Sequence, residues 1–473
     1  MPLRSSRLAQ SAAQSELAAA LAALKAELDV PLEFTPEALA EAEAARAPEP
    51  ELDLRDVPFA TLDPASSRDL DQAFYLERSG EGFTVRYAIA DVPGFVSAEG
   101  NVDAAARERG QTLYAADGSI PLHPRTLSED RASLLPDVDR PAFVWTFEMD
   151  SAGSVDDFRL ERALIRSRAK LDYVSVQAAL DRGEDSPASL LAVIGPLRAE
   201  IEADRGGASL SLPDEVVVRN EDGTCGIVRE SPLAVEEWNA QLSLMTGMGA
   251  ARMMLEAGVG ILRTMPRPDQ AAFETFRRQT RALEVPWREG DYGEYLRSLD
   301  RDDPHTLPVL QAAASLFRGA GYLTFDGDVP AETIQAAIAA PYAHATAPLR
   351  RLVDRWALAI CLDVSQGREA PEWARASLAE LPEIMQSSSR RAGQLGSATL
   401  NTVEAALLRP YVGQQFEATV LELRGHDGDR AVVQIAEPPV THTIHTPAGA
   451  LPGDVVTLTL ADADIATGTL EFS

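Results

Sequence analysis

Residues 57–92 read VPFATLDPASSRDLDQAFYLERSGEGFTVRYAIADV, and most of the information about the fold lies in this stretch. It opens with a strand-like segment, 57–62, and closes with 83–92, where apolar and polar residues alternate as in a strand with one buried face. The residues between these segments include Pro64 and several Ser and Asp residues, which favour turns. The stretch therefore predicts strands on either side of a polar loop.

The polar loop concentrates acidic residues, namely Asp63, Asp69 and Asp71. Like charges a few ångström apart raise one another's pKa, so such a cluster is most stable when a divalent cation neutralises it. Ligand sets made only of oxygen favour Mg²⁺, with Mn²⁺ as the alternative. In a chain with 73 Asp and Glu residues, a solvated acidic loop without a ligand is the other interpretation.

Together with this loop, further blocks in a fixed order make the sequence resemble the ribonuclease II family. The catalytic (RNB) domain of that family carries Thr-Ile-Asp, then Asp-x-Asp-Asp-Ala, then an Ala-Ile-Ala-Asp-Val strand, and residues 61–92 are similar to all three. The other matching blocks are 108–114 (ERGQTLY), 120–124 (IPLHP), 134–136 (LLP), 165–173 (IRSRAKLDY), 235–237 (VEE) and 342–351 (YAHATAPLRR).

The resemblance implies a processive hydrolytic exoribonuclease that degrades single-stranded RNA from its 3′ end and releases nucleoside 5′-monophosphates. In such metal-assisted hydrolysis one cation activates a water and a second stabilises the departing oxygen. By match to the family motifs, Asp63, Asp69 and Asp71 are the expected metal ligands, and Asp71 is also catalytic. Arg350 is expected to neutralise charge on the phosphoryl oxygens, whereas its neighbour Arg351 could instead form a structural pair with Asp354.

Aromatic and acidic residues in the matched blocks are expected to hold the RNA. Tyr114 and Tyr173 match positions where the family stacks or orders the terminal nucleotides, with packing in the core as the alternative. Glu236 and Glu237 match a block that places a carboxylate near the 3′ ribose, where a 2′-hydroxyl distinguishes RNA from DNA. The remaining predicted RNA-binding residues are Arg168, Lys170 and Arg351.

One departure from the family pattern concerns the metal site. The fourth Asp of the family, which directly follows the position of Asp71, is Gln72 here. An amide oxygen can bind a hard cation but brings no negative charge. Two outcomes stay open: the three aspartates with Gln72, assisted by Asp91, still hold metal, or the chain is a catalytically silent RNA-binding protein on the same fold.

The net charge of −30, from 43 basic and 73 acidic residues, has the wrong sign for a protein that binds a polyanion. Only two of the cations are lysines, so most phosphate contacts must come from arginine, whose planar fork suits phosphate oxygens. We therefore expect a basic channel inside an acidic shell, drawing on Arg162, Arg166, Arg168, Arg350, Arg351, Arg355, Arg390 and Arg391.

The predicted fold class is α+β, in three parts. Residues 1–56 form a small helical domain and linker, with a helix-turn-helix as one option, where the family usually has two cold-shock barrels. Residues 57–405 form the RNB catalytic domain. Residues 406–473 show short alternating segments separated by Gly and Pro, a pattern typical of a five-stranded OB-fold barrel that binds RNA.

Composition narrows the remaining possibilities. With 45% hydrophobic residues, no apolar run of membrane-spanning length and no secretory signal, the sequence predicts a cytoplasmic protein that does not bind a membrane. No obligate protein partner is evident, so a monomer is expected. A metal phosphohydrolase for small molecules is a third function class, disfavoured because a chain with a terminal OB domain is equipped for a polymer.

Overall fold

The computed structural model describes residues 11–208, 214–219, 225–300, 306–314, 316–424, 428–435 and 437–473. Among these residues, no helix combines the length and apolar character needed to cross a membrane.

Two helices precede the catalytic domain: α1 (Ser11–Glu27) and α2 (Pro36–Ala44). Helix α2 begins after Thr35, whose side chain accepts a hydrogen bond from the backbone N of Ala38, and Pro36 occupies its first turn. The segment between the helices is tied to the catalytic domain, because the buried Arg109 donates to the carbonyls of Pro31 and Glu33.

The first part of the catalytic domain is built on a sheet. Its strands and helices are β1 (Leu52–Asp53), β2 (Phe59–Asp63), β3 (Gln72–Ser79), β4 (Gly82–Ala90), α3 (Val92–Phe95), α4 (Asn101–Arg109), β5 (Leu113–Ala115), β6 (Gly118–Ile120), β7 (Asp139–Met149) and β8 (Val155–Asp172), with a π-helical turn at Leu127–Arg131.

The main sheet has the strand order β1-β8-β2-β3-β4-β7. The long strand β8 pairs antiparallel with β7 through its first two thirds and parallel with β2 through its last residues, so the sheet closes on itself. Alternating apolar residues fill its inner face, where Trp145, Phe147 and Phe158 stack with ring centroids 5.7–6.1 Å apart.

Helices dominate the second part of the catalytic domain. Its elements are α5 (Tyr173–Asp181), α6 (Leu191–Asp204), β9 (Asp214–Arg219), β10 (Cys225–Glu230), α7 (Ala234–Ala257), β11 (Val259–Thr264), α8 (Gln270–Ala282), α9 (Tyr292–Arg297), α10 (Thr306–Ala314), β12 (Gly321–Asp326), β13 (Ile334–Gln335), β14 (Ala340–Pro341), α11 (Leu352–Ser365), α12 (Glu372–Ser377) and α13 (Leu381–Leu408).

Two of these helices cover the sheet. The buried faces of α7 and α11 include Leu242, Met245 and Trp356, which belong to the same core as the sheet aromatics. Helix α13 then runs towards the C-terminal domain, and both α1 and the strand pair β5–β6 lie against it.

The C-terminal domain consists of β15 (Gln415–Arg424), β16 (Arg430–Ile435), β17 (Val440–His445), β18 (Val455–Asp464) and β19 (Thr469–Phe472), in the order β17-β16-β15-β18-β19. All pairings are antiparallel, and Nε2 of His442 lies 3.1 Å from the carbonyl oxygen of Leu470, which brings the two edge strands together. This nearly closed five-stranded barrel and the mixed catalytic domain confirm the predicted fold class. The domain limits at 56/57 and 405/406 stay predictions.

Candidate active site

The acidic loop joins two neighbouring strands of the main sheet. Asp63 is the last residue of β2, and Gln72 is the first residue of β3, so the loop begins and ends at the same edge. The backbone carbonyl of Asp71 accepts a hydrogen bond from the N of Ala90 at the end of β4. The predicted arrangement of strands around a polar loop is therefore present, and it holds Asp71 in the sheet while Asp69 lies half-buried in the loop.

Asp71 and Arg350 are in contact although they are 279 positions apart in the sequence. Asp71 is buried, and its Oδ1 accepts a hydrogen bond of 2.8 Å from the backbone N of Leu349. Its Oδ2 accepts a 3.2 Å hydrogen bond from Nε of Arg350, whose side chain is 45% exposed. Within the described part of the chain this is the only ion pair of Arg350, so its two terminal nitrogens can reach a bound phosphate.

The negative charge of the loop carboxylates is only partly compensated within the protein. Burial raises the pKa of Asp71 to about 8 and that of Asp63 to about 6, against the opposing effect of Arg350. The negative charge of Asp69 raises both values further. In addition, Oδ2 of Asp63 is buried without a hydrogen-bond partner. A nearby cation would favour the ionised form of both groups.

The same residues provide the oxygen donors of a metal site but are not drawn together around one point. Over the described residues, no group of three or more His, Cys, Asp or Glu side chains is arranged closely enough to hold one. The donor set still fits a hard divalent cation, because it offers carboxylate oxygens, one of them buried and unpartnered, at a site where negative charge is unfavourable without a counter-ion. Binding would require the three aspartates to draw together.

Gln72 joins the acidic loop to the segment that carries Arg350. Its Nε2 donates a hydrogen bond to the carbonyl oxygen of Thr346. The amide group thus cross-links the two segments that supply Asp71 and Arg350. A role of Gln72 as a metal ligand, through its amide oxygen, stays a prediction.

Asp91 does not face the acidic loop. Its Oδ1 accepts a hydrogen bond of 2.9 Å from the backbone N of Gly94 and caps α3, while its Oδ2 forms an ion pair with Arg162. Both oxygens already have partners, and Asp91 is 1% exposed. The expectation that Asp91 assists the metal is therefore wrong.

Arg351, next to Arg350, has a different environment. It donates from Nε and Nη2 to the two oxygens of Asp354, each at 2.9 Å, and Asp354 also accepts from the backbone N of Ala347 at 2.7 Å. Burial opposes the charge on both partners, but the contact raises the pKa of Arg351 and lowers that of Asp354. The alternative of a structural pair is thus the one observed, and Arg350 is the arginine with free donors.

The two tyrosines lie near different aspartates of the acidic loop. Tyr114 in β5 is 58% exposed, which excludes the core-packing alternative for it. Partial burial of its hydroxyl and the charge of Asp69 raise its pKa to about 12. Tyr173 begins α5 and is half-buried, and burial together with Asp63 raises its pKa to about 12 as well. Both hydroxyls therefore lie within reach of the charges of the loop aspartates.

The first turn of α7 adds polar groups beside Tyr173. Glu236 accepts a hydrogen bond from the backbone N of Leu233. Burial and Asp63 have the larger effects that raise the pKa of Tyr173, and the charge of Glu236 adds to them. Glu237 follows on the same turn and is half-buried. Asn239, which sequence reasoning missed, donates from Nδ2 to the hydroxyl of Tyr173 at 3.3 Å. Asn239 lies three residues after Glu236, so the two share a face of α7, and this spacing could have indicated a role of Asn239 in the site.

Only some of the predicted cations can reach RNA. Arg168 and Lys170 are exposed on β8, and they donate to the carbonyls of Arg55 and Ala65, respectively. Burial, Arg350 and Asp69 have larger effects on the pKa of Asp63, but the charge of Lys170 lowers this pKa as well. Lys170 therefore lies near the loop.

The predicted basic channel is wrong for Arg355 and Arg162, because each is committed to an ion pair with a buried aspartate. Arg355 is 1% exposed and pairs with Asp103, and Arg162 pairs with Asp91. Arg166 pairs with Asp139 through Nε at 2.6 Å but keeps a partly exposed side chain, so its role stays a prediction.

Comparisons with known proteins agree with this architecture. The family model described as RNB domain matches residues 51–361, and the one described as RNase II-type exonuclease C-terminal S1 domain matches residues 414–473. Ribonuclease R of Escherichia coli (strain K12) is 25% identical over 404 residues, which are 79% of this chain and 49% of that protein. The chain thus spans about half the length of the curated relatives it matches first.

Two solved structures illustrate the range of similar folds. Mycoplasma genitalium RNase R in complex with ribose methylated single-stranded RNA has a TM-score of 0.86 at 16% identity, covering 97% of this chain and 78% of that one. Yeast Ssd1, a pseudonuclease, has a TM-score of 0.68 at 17% identity, covering 88% of this chain and 52% of that one. At this identity the likeness concerns the fold alone.

Proposed function

The chain belongs to the RNB family, and from this premise we propose that it is a processive, metal-dependent 3′-to-5′ exoribonuclease that hydrolyses single-stranded RNA to nucleoside 5′-monophosphates. The observation that carries the proposal is the contact between buried Asp71 and half-exposed Arg350 beside the unpartnered oxygen of Asp63. Carboxylates whose charge is only partly compensated and an arginine with free donors are what hydrolysis of a phosphodiester requires.

Each residue has a proposed role in the reaction. When bound by Asp63, Asp69 and Asp71, with Gln72 as a neutral donor, Mg²⁺ or Mn²⁺ supplies activation of the attacking water and stabilisation of the leaving 3′ oxygen. Arg350 directs its free nitrogens at the non-bridging phosphoryl oxygens, where negative charge grows in the transition state.

The RNA is held by groups around the loop. Tyr114 and Tyr173 stack against the terminal bases, an interaction that tolerates every base. Glu236 and Glu237 accept a hydrogen bond from the terminal ribose, which selects RNA over DNA. Contacts to the upstream phosphates come from Arg168 and Lys170. Arg351 does not contact RNA in this proposal but stabilises the segment that carries Arg350 through its ion pair with Asp354.

A catalytically silent RNA-binding protein is the second candidate. It is favoured by Gln72, which replaces a charged ligand of the family, and by the likeness of the fold to that of a pseudonuclease. In this case the Asp71–Arg350 contact would be a permanent ion pair and RNA would bind without turnover.

One experiment separates the two candidates. The full chain is incubated with a 5′-labelled single-stranded RNA, and with DNA of the same sequence, in Mg²⁺, Mn²⁺ or EDTA, and products are resolved by length. The proposal expects metal-dependent shortening of RNA alone with few intermediates, and a uniformly labelled RNA digested in parallel should release nucleoside 5′-monophosphates. Binding of RNA without shortening in either metal would establish the silent alternative.

A further inference from the structure

A cavity of about 250 Å³ lies beside the core aromatics of the main sheet, and none of its lining residues belongs to the acidic loop. It is bounded by the β7–β8 hairpin and by α6 and α7, and its lining includes Phe147, Phe158, Met245 and Arg198. Met245 lies nine residues beyond Glu236 on α7. At 1.5 Å per residue the cavity is therefore roughly 14 Å along the helix from the candidate active site.

Arg198 on α6 is the main polar group of this cavity. It is 5% exposed, and its Nη1 donates to the carbonyl oxygen of Gly153 at 3.0 Å. Its Nε is buried and has no acceptor. Throughout the described segments, Arg198 forms no ion pair with a carboxylate, and burial lowers its pKa to about 10 against the opposing effect of the Glu202 charge. A buried cation with an unused donor is unfavourable unless an anion reaches it.

A second cation stands on the same side of α6. Arg205 follows Arg198 by seven residues, lines the same cavity and is half-buried, and burial lowers its pKa. Its Nε donates to the carbonyl of Ile338 at 3.0 Å. Glu202 is the acidic residue whose charge favours both arginines, and it also accepts a hydrogen bond from Gln241. Three arginines therefore line the cavity, because Arg252 of α7, which forms an ion pair with Glu256, lines it as well.

Much of the remaining wall is apolar, although the guanidinium of Arg252 lies 5.6 Å from the centroid of the Phe158 ring. The rings of Phe147 and Phe158 are 5.7 Å apart, and Met245 and Gly249 of α7 complete the surface. Such a wall accepts an aromatic or aliphatic body but offers no partner to a second polar group. The volume suits one small molecule and is too small for a polymer strand.

We propose that this cavity binds a small organic anion, a phosphate monoester or a carboxylate on an apolar or aromatic body, with the anionic group against Arg198 and Arg205 and the body between Phe147, Phe158 and Met245. This binding site is separate from the acidic loop and does not depend on hydrolysis of RNA.

Calorimetric titration of the full chain in EDTA tests the proposal, with phenyl phosphate as the main probe. We expect one saturable site, and at least tenfold weaker binding in Arg198→Met. The variant Arg350→Ala, altered only at the candidate active site, should bind as the parent does. Benzoate tests a carboxylate in place of the phosphate, and adenosine 5′-monophosphate tests a nucleotide. Inorganic phosphate carries only the charge and phenol only the aromatic body, so each should bind much more weakly than phenyl phosphate.

Two controls keep the test independent of folding. Arg198→Met should melt no lower than the parent without ligand, because an unpaired buried charge is replaced by an apolar chain. Gly249→Ala keeps both arginines but adds a methyl that would lie 3.4 Å from Phe158 and 3.5 Å from Phe147, in ordinary contact, and it should weaken binding by reducing the space. No saturable binding of any of the anions, or equal binding by Arg198→Met, would overturn the proposal.

Discussion

Two adjacent arginines, Arg350 and Arg351, contact two buried aspartates in contrasting ways. Arg351 donates hydrogen bonds from two nitrogens to Asp354, and this contact lowers the pKa of Asp354 even though burial alone would raise it. Arg350 reaches Asp71 through one longer contact, and burial raises the pKa of Asp71 to about 8. The first pair is satisfied within the protein, whereas the second leaves charge to be compensated from outside. This difference separates a supporting ion pair from a site that binds a ligand.

The largest effect should come from Asp71→Asn. Loss of one ligand charge should reduce turnover of single-stranded RNA by about a thousandfold or more, because electrostatic stabilisation of the transition state is lost. RNA binding should stay close to that of the parent, and the melting temperature without metal should not fall, because Asn removes a buried acid whose charge is only partly compensated. Single-turnover kinetics and filter binding measure the two quantities. Equal losses of binding and turnover would contradict the ligand role.

Breaking the supporting pair should act on stability. Arg351→Met leaves Asp354 buried without the guanidinium that binds both of its oxygens. We expect the free energy of unfolding to fall by about 3–5 kcal/mol. Urea unfolding followed by circular dichroism measures this, with Arg350→Met as the matched control, for which a change below about 1 kcal/mol is expected because that side chain is half exposed. Similar losses in both variants would remove the contrast between the two pairs.

A milder change at the exposed arginine should act on chemistry. Arg350→Lys keeps the charge but loses the planar fork, so kcat should fall by roughly 10- to 100-fold while the Kd for RNA changes little. Steady-state kinetics on a labelled oligonucleotide gives both. If kcat were unchanged, the catalytic assignment to Arg350 would be wrong.

The smallest effect is expected at Gln72. Gln72→Asp adds a ligand charge but removes the hydrogen bond to Thr346, which contributes on the order of 1 kcal/mol. The metal concentration for half-maximal rate should fall a few-fold, measured by titration of Mg²⁺ in the RNA assay. Gln72→Asn, which is shorter and uncharged, is the control and should not lower it. A collapse of the rate in Gln72→Asp would mean that the site is built around the cross-link to Thr346.

The sequence predicted the local part of this site better than its long-range part. The strands around the acidic loop follow from alternation and turn residues, which are local properties. The meeting of Asp71 with Arg350 was expected only from the family motifs, since no local pattern joins residues so far apart. The roles expected for Asp91, Arg162 and Arg355 were wrong because the partner of a charged residue depends on tertiary packing.

The central claim is that the acidic loop is a metal site, and calorimetric titration of Mn²⁺ into the metal-free chain tests it most directly. Because the pKa of Asp71 is raised, protons compete with metal: binding should tighten as pH rises from 6 to about 8, and at pH 7 it should release about one proton, measured in buffers of different ionisation enthalpy. Asp71→Asn should abolish Mn²⁺ binding and the proton release that accompanies it, whereas Arg198→Met should change neither the binding nor the proton release. Absence of Mn²⁺ binding, or binding that Asp71→Asn leaves intact, would contradict the account.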